Sequence, residues 1–167
     1  MGILELIESQ DQNRIALTDA TVEPPNPVRL RDLLRGAHTL AARCTPHLTG
    51  DEPVVGVHVG EGALLMICQI AVLHAGALFV LLEPCLPVAR LDFILDDTNA
   101  SLLLQPTSAT VKPRTGVAML EVSTDELLEA PGHALAQLGT QTCTVSTGAG
   151  VQPMDKEDKD SRLAYLC

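Results

Sequence analysis

Tryptophan is absent from the 167 residues, and one tyrosine and two phenylalanines are the only other large rings. So few aromatics leave no stacking platform for single-stranded nucleic acid. Cations are scarce too: 11 Lys plus Arg stand against 21 Asp plus Glu, a formal net charge of −10, which disfavours both nucleic acid and anionic membrane as partners. Missing as well is any paired-cysteine signature. Cys44, Cys68, Cys85, Cys143 and Cys167 are scattered and odd in number, with no Cys-x-x-Cys pair and no His at zinc spacing, a pattern of reduced thiols in a cytoplasmic chain.

The N-terminal Met1-Gly2-Ile3-Leu4-Glu5-Leu6-Ile7-Glu8 has no basic region, and Glu5 and Glu8 interrupt its apolar run, so it does not read as a signal peptide. Leu6 stands where a myristoylation signal needs a hydroxyl residue. One apolar run, Gly62 to Leu82, has the length of a bilayer span. Its flanks carry Glu61 and Glu83 and no Lys or Arg cluster, so the positive-inside signature is missing. The reading adopted breaks it at Gly76 into a buried helix, Ala63 to Ala75, and a buried strand, Ala77 to Leu82.

The apolar residues are many, 46% of the chain, and their spacing gives an alternation of helices and strands. A short helix, Ile3 to Ser9, and a strand, Arg14 to Asp19, come first. Pro24-Pro25-Asn26-Pro27 is expected to continue neither kind of element. Leu30, Leu33, Leu34, Ala37, Leu40, Ala41 and Cys44 make one helical stripe, ended by Pro46 and Gly50. Strands are expected at Val54 to Val59, Ser101 to Gln105 and Val117 to Val122. Pro87 is placed at the first position of a helix that buries Leu91, Ile94 and Leu95 and is capped by Asn99. Thr124 to Glu129 is a helical turn. The fold class is α/β, a parallel sheet in layers with helices on both faces.

Beyond about Thr140 the sequence turns polar and then densely charged, as a linker does, and only Leu163 to Cys167 returns to strand character. Val145-Ser146-Thr147-Gly148-Ala149-Gly150 has the small residues of a phosphate loop. No Pro-Lys-Gly follows it and Lys156 lies in an acidic run, so it is taken as linker. Glu83 is read as a turn acid, Cys68 and Cys85 as small buried hydrophobes, and Asp155 to Asp160 as a solvated loop. His38, His47, His58, His74 and His133 form no nucleophilic arrangement by spacing and are assigned to surfaces and helix edges. No residue is assigned a catalytic, cofactor-binding or metal role.

The segment Val72 to Asp97, VLHAGALFVLLEPCLPVARLDFILDD, resembles a core motif of the adenylate-forming (AMP-binding) superfamily. That superfamily contains acyl-CoA synthetases, luciferases and the adenylation domains of nonribosomal peptide synthetases. Their pattern is Leu-Lys-Ala-Gly-x-x-Tyr-Val-Pro-Leu-Asp-Pro-x-x-Pro, followed by an Arg-Leu-x-x-Ile-Leu run and an acidic pair. Leu73, Ala75, Gly76, Val80, Leu82, Pro84, Pro87, Arg90, Leu91, Ile94, Leu95 and Asp97 match it without a gap. An earlier motif, Leu-Thr-Tyr-x-Glu-Leu, is similar to Val28-Arg29-Leu30-Arg31-Asp32-Leu33. The chain departs from these patterns at Arg29 for a capping threonine, His74 for lysine and Leu81 for proline.

The resemblance implies a Rossmann-like layered sheet, the first part of an adenylate-forming N-terminal domain. It implies residues 1–135 as a partial AMP-binding synthetase/ligase domain, 136–162 as a flexible polar loop, and 163–167 as the start of the strand leading to the phosphate loop. The implied reaction is ATP-dependent activation of a small carboxylic or amino acid, with Mg, and transfer to CoA or to the phosphopantetheine of a carrier domain. The form of the motif is closer to the amino-acid-activating branch, which includes the β-alanine-activating, aminoadipate-semialdehyde-dehydrogenase-like enzymes. The phosphate loop, the magnesium and ribose acids and the catalytic lysine of that chemistry are expected after Cys167, and the chain by itself is expected to be inactive. The alternative is a non-catalytic α/β binding or regulatory module.

Overall fold

A computed structural model describes residues 2–109, 112 and 116–129. The expectations for Val145 to Gly150, the acidic run and Leu163 to Cys167, and those for His133, Cys143 and Cys167, lie outside the described residues.

The expected alternation is present. Its elements are α1 (Ile3–Glu8), β1 (Ile15–Asp19), β2 (Asn26–Arg29), α2 (Leu30–Cys44), β3 (Val54–Val57), α3 (Ala63–His74), β4 (Leu78–Leu81), α4 (Val88–Asp97), β5 (Leu102–Pro106), β6 (Ala118–Val122) and α5 (Thr124–Glu129). β4, β3, β5 and β6 form, in that order, a four-stranded sheet that is parallel throughout. β1 and β2 form a separate antiparallel ribbon.

The ribbon corrects one expectation. Pro27 sits inside a strand, opposite Thr18, because a two-stranded ribbon is all edge and tolerates a residue with no N–H to donate. Pro87 is also displaced by one position: it precedes α4 as its extended N-terminal cap, and Val88 is the first helical residue.

The apolar run breaks where expected. Gly76 takes a φ of +74°, and the N–H groups of Gly76 and Ala77 donate back to Leu73 O and Val72 O. This is a Schellman ending, which satisfies the last carbonyls of α3 and turns the chain into β4. Asn99, at φ +50°, ends α4 in the same way, with Asn99 N and Ala100 N donating to Asp96 O and Leu95 O. At 12 residues, α3 is about 18 Å long against a bilayer core of about 30 Å. No helix among the described residues is long and apolar enough to cross a membrane.

Both faces of the sheet are covered. On one, the full predicted stripe of α2 is buried and packs with α3, Val55, Val57, Leu102, Leu104 and Leu127 into the main core. On the other, Leu91 and Leu95 of α4 meet Val80, Leu82 and Leu103. α5 is tied to α2 by Arg43, which donates to Glu126 Oε1 at 3.0 Å and to Glu121 O at 2.9 Å, and by Arg35, which donates to Leu128 O at 2.6 Å.

The approach of α4 to the sheet depends on Gly56 in the middle of β3. A Cβ there would lie 2.8 Å from Leu95 Cδ2 and 3.0 Å from methyls of Leu103 and Leu82. Gly56→Ala is expected to lower stability by about 1–3 kcal/mol through overpacking, read as a fall in the urea midpoint with the slope unchanged.

Candidate functional site

In an open parallel sheet, ligands gather at the carboxyl ends of strands where successive connections diverge. Here β3 leads by α3 to β4 on one side, and β5 leads to β6 on the other, while β3 and β5 are neighbours. The switch point therefore lies between the ends of β3 and β5.

His58 and Gln105 stand there. The ladder continues past β3, with His58 N donating to Leu104 O at 2.9 Å, so His58 comes beside Gln105. Alternation puts His58 on the face of Gly56, and Gln105 on that of Leu103, toward α4. Both are buried, at 3% and 2% exposure. Neither ring nitrogen of His58 nor Oε1 of Gln105 has a hydrogen-bond partner among the described residues. Buried polar atoms are normally paired, so this point of the sheet offers an imidazole and an amide oxygen for polar partners.

The burial of His58 corrects its assignment to a surface. It lies in the run Val57-His58-Val59, and that apolar setting is the signal available in the sequence. Cys85 is corrected in the opposite direction: it is exposed, on the turn between β4 and α4, with its thiol 3.6 Å from Glu83 Oε2. Glu83 is an exposed turn acid, and Cys68 is buried.

A second feature of this end is Asp19, the last residue of β1. Its carboxylate accepts from Thr21 Oγ1, from Thr21 N at 2.9 Å, and from Ala63 N, the first residue of α3, at 2.9 Å. A carboxylate 44 residues away in sequence thus occupies the helix N-terminus, where orphan N–H groups and the helix dipole favour negative charge. Gly62 makes room for it. Its φ is +100°, and a Cβ there would lie 2.9 Å from Asp19 Oδ1. The Thr21 hydroxyl first, and then the Ala63 and Thr21 amides, hold the Asp19 carboxyl below its ordinary value against the opposing effect of burial.

Beside Asp19 opens a cleft of about 320 Å³, with Leu64, Thr107, Ser108, Ser123 and Asp125 among its walls. It contains hydroxyls and two carboxylates but no lysine or arginine among the described residues. A triphosphate needs cationic or amide donors, and the first amide of α3 is already engaged by Asp19. This cleft therefore does not supply the donors that a triphosphate needs.

No protein-family model matches the chain. Curated relatives do: a linear gramicidin synthase of Brevibacillus parabrevis is 31% identical over 101 residues, which is 60% of this chain and 1% of that protein. The chain spans 1 to 4% of this and other curated relatives such as nonribosomal peptide synthetase 7 of Aspergillus fumigatus, 32% identical over 99 residues. Among solved structures, a four-domain nonribosomal peptide synthetase bound to AMP and glycine superposes with a TM-score of 0.59 at 25% identity, over 76% of this chain and 10% of that one. The Bacillus subtilis o-succinylbenzoate coenzyme A synthetase in complex with AMP gives 0.62 at 22% identity, over 77% and 32%. That likeness speaks for the fold, a parallel sheet flanked by helices as in adenylate-forming N-terminal domains.

The buried carboxylate and the three thiols among the described residues can each be probed. Asp19→Ala is expected to cost about 2 kcal/mol at neutral pH. A depressed carboxyl stabilises above the unfolded value, about 3.9, and that stability is lost as the pH falls through the lower folded value. The gap between wild type and Asp19→Ala in urea unfolding should therefore narrow as the pH is taken below about 4. Burial pushes the Cys44 thiol up to about 11 and the Cys68 thiol up to about 12. Iodoacetamide on the native chain should label Cys85 well before Cys44 or Cys68, read by peptide mass mapping.

Proposed function

We infer that this chain belongs to the adenylate-forming superfamily as an N-terminal part of its synthetase domain, and that it serves ATP-dependent activation of a carboxylate. The observation that carries the reading is the sequence match of about 100 residues to peptide synthetases, laid on a parallel sheet shared with AMP-bound members of the fold. In this reading, residues 1–135 are the partial domain, 136–162 a polar loop, and 163–167 the beginning of the strand that leads to the phosphate loop.

The substrate is a small amino or carboxylic acid, which becomes an acyl adenylate with release of pyrophosphate and is then passed to CoA or to the phosphopantetheine of a carrier domain. What the described residues contribute is scaffold. They shape the sheet edge and present His58 and Gln105, while residues outside them hold the nucleotide and magnesium. The anionic cleft supports this division of labour, because a site that must grip phosphates needs positive charge from elsewhere.

The test is amino-acid-dependent exchange of pyrophosphate into ATP, run with the twenty amino acids and with short-chain acids. It is run on the 167-residue chain and on any longer product of the same gene. Exchange is expected from the longer product and not from the shorter chain. Exchange by the shorter chain would overturn the claim that it is inactive alone. A folded longer product that neither exchanges pyrophosphate nor binds ATP would favour the non-catalytic binding module.

A further inference from the structure

Far from the carboxyl end of the sheet, three helices bring three metal-binding side chains to one point. Glu8 is the last residue of α1, His38 lies within α2, and His74 is the last residue of α3. His38 Nε2 is 3.1 Å from His74 Nε2, His38 Nε2 is 3.5 Å from Glu8 Oε1, and His74 Nε2 is 3.3 Å from the same oxygen. The two rings stand edge to face, 87° apart. We propose that Glu8, His38 and His74 form a binding site for a zinc-class divalent cation.

Donor spacing is the first argument. Ligands about 2.0–2.1 Å from zinc at tetrahedral angles are about 3.3–3.4 Å from one another, and the three observed edges straddle that value. Adjacent ligands of an octahedral ion at similar bond lengths would stand about 3.0 Å apart, closer than either edge to Glu8. Two imidazoles also exclude magnesium and calcium, which take oxygen ligands.

The second argument is the number of protons. With both imidazoles neutral, one N–H between the rings and a second toward the carboxylate cannot both be made without a clash. If His38 Nε2 carries its proton, it can point to His74 or to Glu8. In the first case the lone pair of His74 is used by His38 and no Nε2 proton reaches Glu8; in the second, both rings can donate to the same Glu8 oxygen, at 3.5 and 3.3 Å, and the contact between the rings is left unmade. A central cation would instead take a lone pair from both rings and from the carboxylate at once.

The third argument is access. The His74 side chain is 17% exposed, while His38 and Glu8 are 39% and 43% exposed. An ion can therefore enter from solvent and keep water in a fourth position, the arrangement of open zinc sites with three protein ligands. None of these residues lines the cleft beside Asp19. His74 is also one of the positions at which this chain departs from the superfamily pattern, where lysine stands.

The test is zinc binding by the 167-residue chain, by competition with a chromophoric indicator, and cobalt substitution read by visible absorption. Expected are one saturable site per chain, a cobalt spectrum without a thiolate charge-transfer band, and a rise in melting temperature with zinc. His74→Lys and His38→Gln should each weaken binding at least about ten-fold while leaving the far-UV circular dichroism of the metal-free chain unchanged. Glu8→Gln provides a third variant should either fail to fold. Absence of saturable binding, equal affinity in the folded variants, or a thiolate band pointing to the cysteines would each overturn the proposal.

Discussion

A sheet of parallel strands exposes two apolar faces, and both must be taken out of water for the strands to persist. The chain meets this demand unequally. α2, α3 and α5 build a broad core on one face, whereas α4 covers the other nearly alone among the described residues. A single helix seals a face only if it lies close, and the missing side chain at Gly56 lets Leu95, Leu82 and Leu103 converge on one point. The order of strands follows from the same division. With α3 on one face and α4 on the other, the chain must step from β3 out to β4 and back across to β5, which creates the switch point.

That topology separates what is rigid from what is chemically open. The helix N-terminus at Ala63 is the natural place for an anion on this scaffold, and Asp19 occupies it internally. The link fastens the β1–β2 ribbon to the sheet domain and engages the first amide of α3. Also at the carboxyl end are the ring of His58 and Oε1 of Gln105, buried polar atoms without hydrogen-bond partners among the described residues. In the proposed function, an adenylate asks for more positive charge than the described residues supply at this end, and that charge would come from residues outside them.

Much of this is legible from residue spacing. The stripe of α2 can be read residue for residue, because an amphipathic helix on a core writes its burial directly into a period of 3.6. The break at Gly76 and the cap at Asn99 are legible because a left-handed residue after a helix leaves few choices of side chain. Pro27 misleads because proline forbids a central strand but not an edge, and spacing does not say how many neighbours a strand will have. Cys85 and His58 exchange places for a related reason. A thiol between two prolines sits on a turn, while an imidazole within Val57-His58-Val59 follows its strand into the interior. Burial belongs to the element before it belongs to the residue type.

The cluster of Glu8, His38 and His74 is not legible from spacing at all, and the reason is geometric. Metal motifs are readable when ligands share a helix or a loop at fixed spacing. Here each comes from a different helix, with the two histidines 36 positions apart in the sequence, and only the packing of α2 on α3 brings their rings to 4.3 Å between centroids. The one trace in the sequence is negative, the histidine at a position where the superfamily pattern has lysine. A lysine there would place an ammonium opposite Glu8 and make a simple ion pair between α3 and α1. A neutral imidazole can donate one N–H to that carboxylate but brings no charge. The substitution at His74 therefore changes more than one side chain: in the proposed site it exchanges a fixed positive charge for a ring that can share a cation with His38 and Glu8.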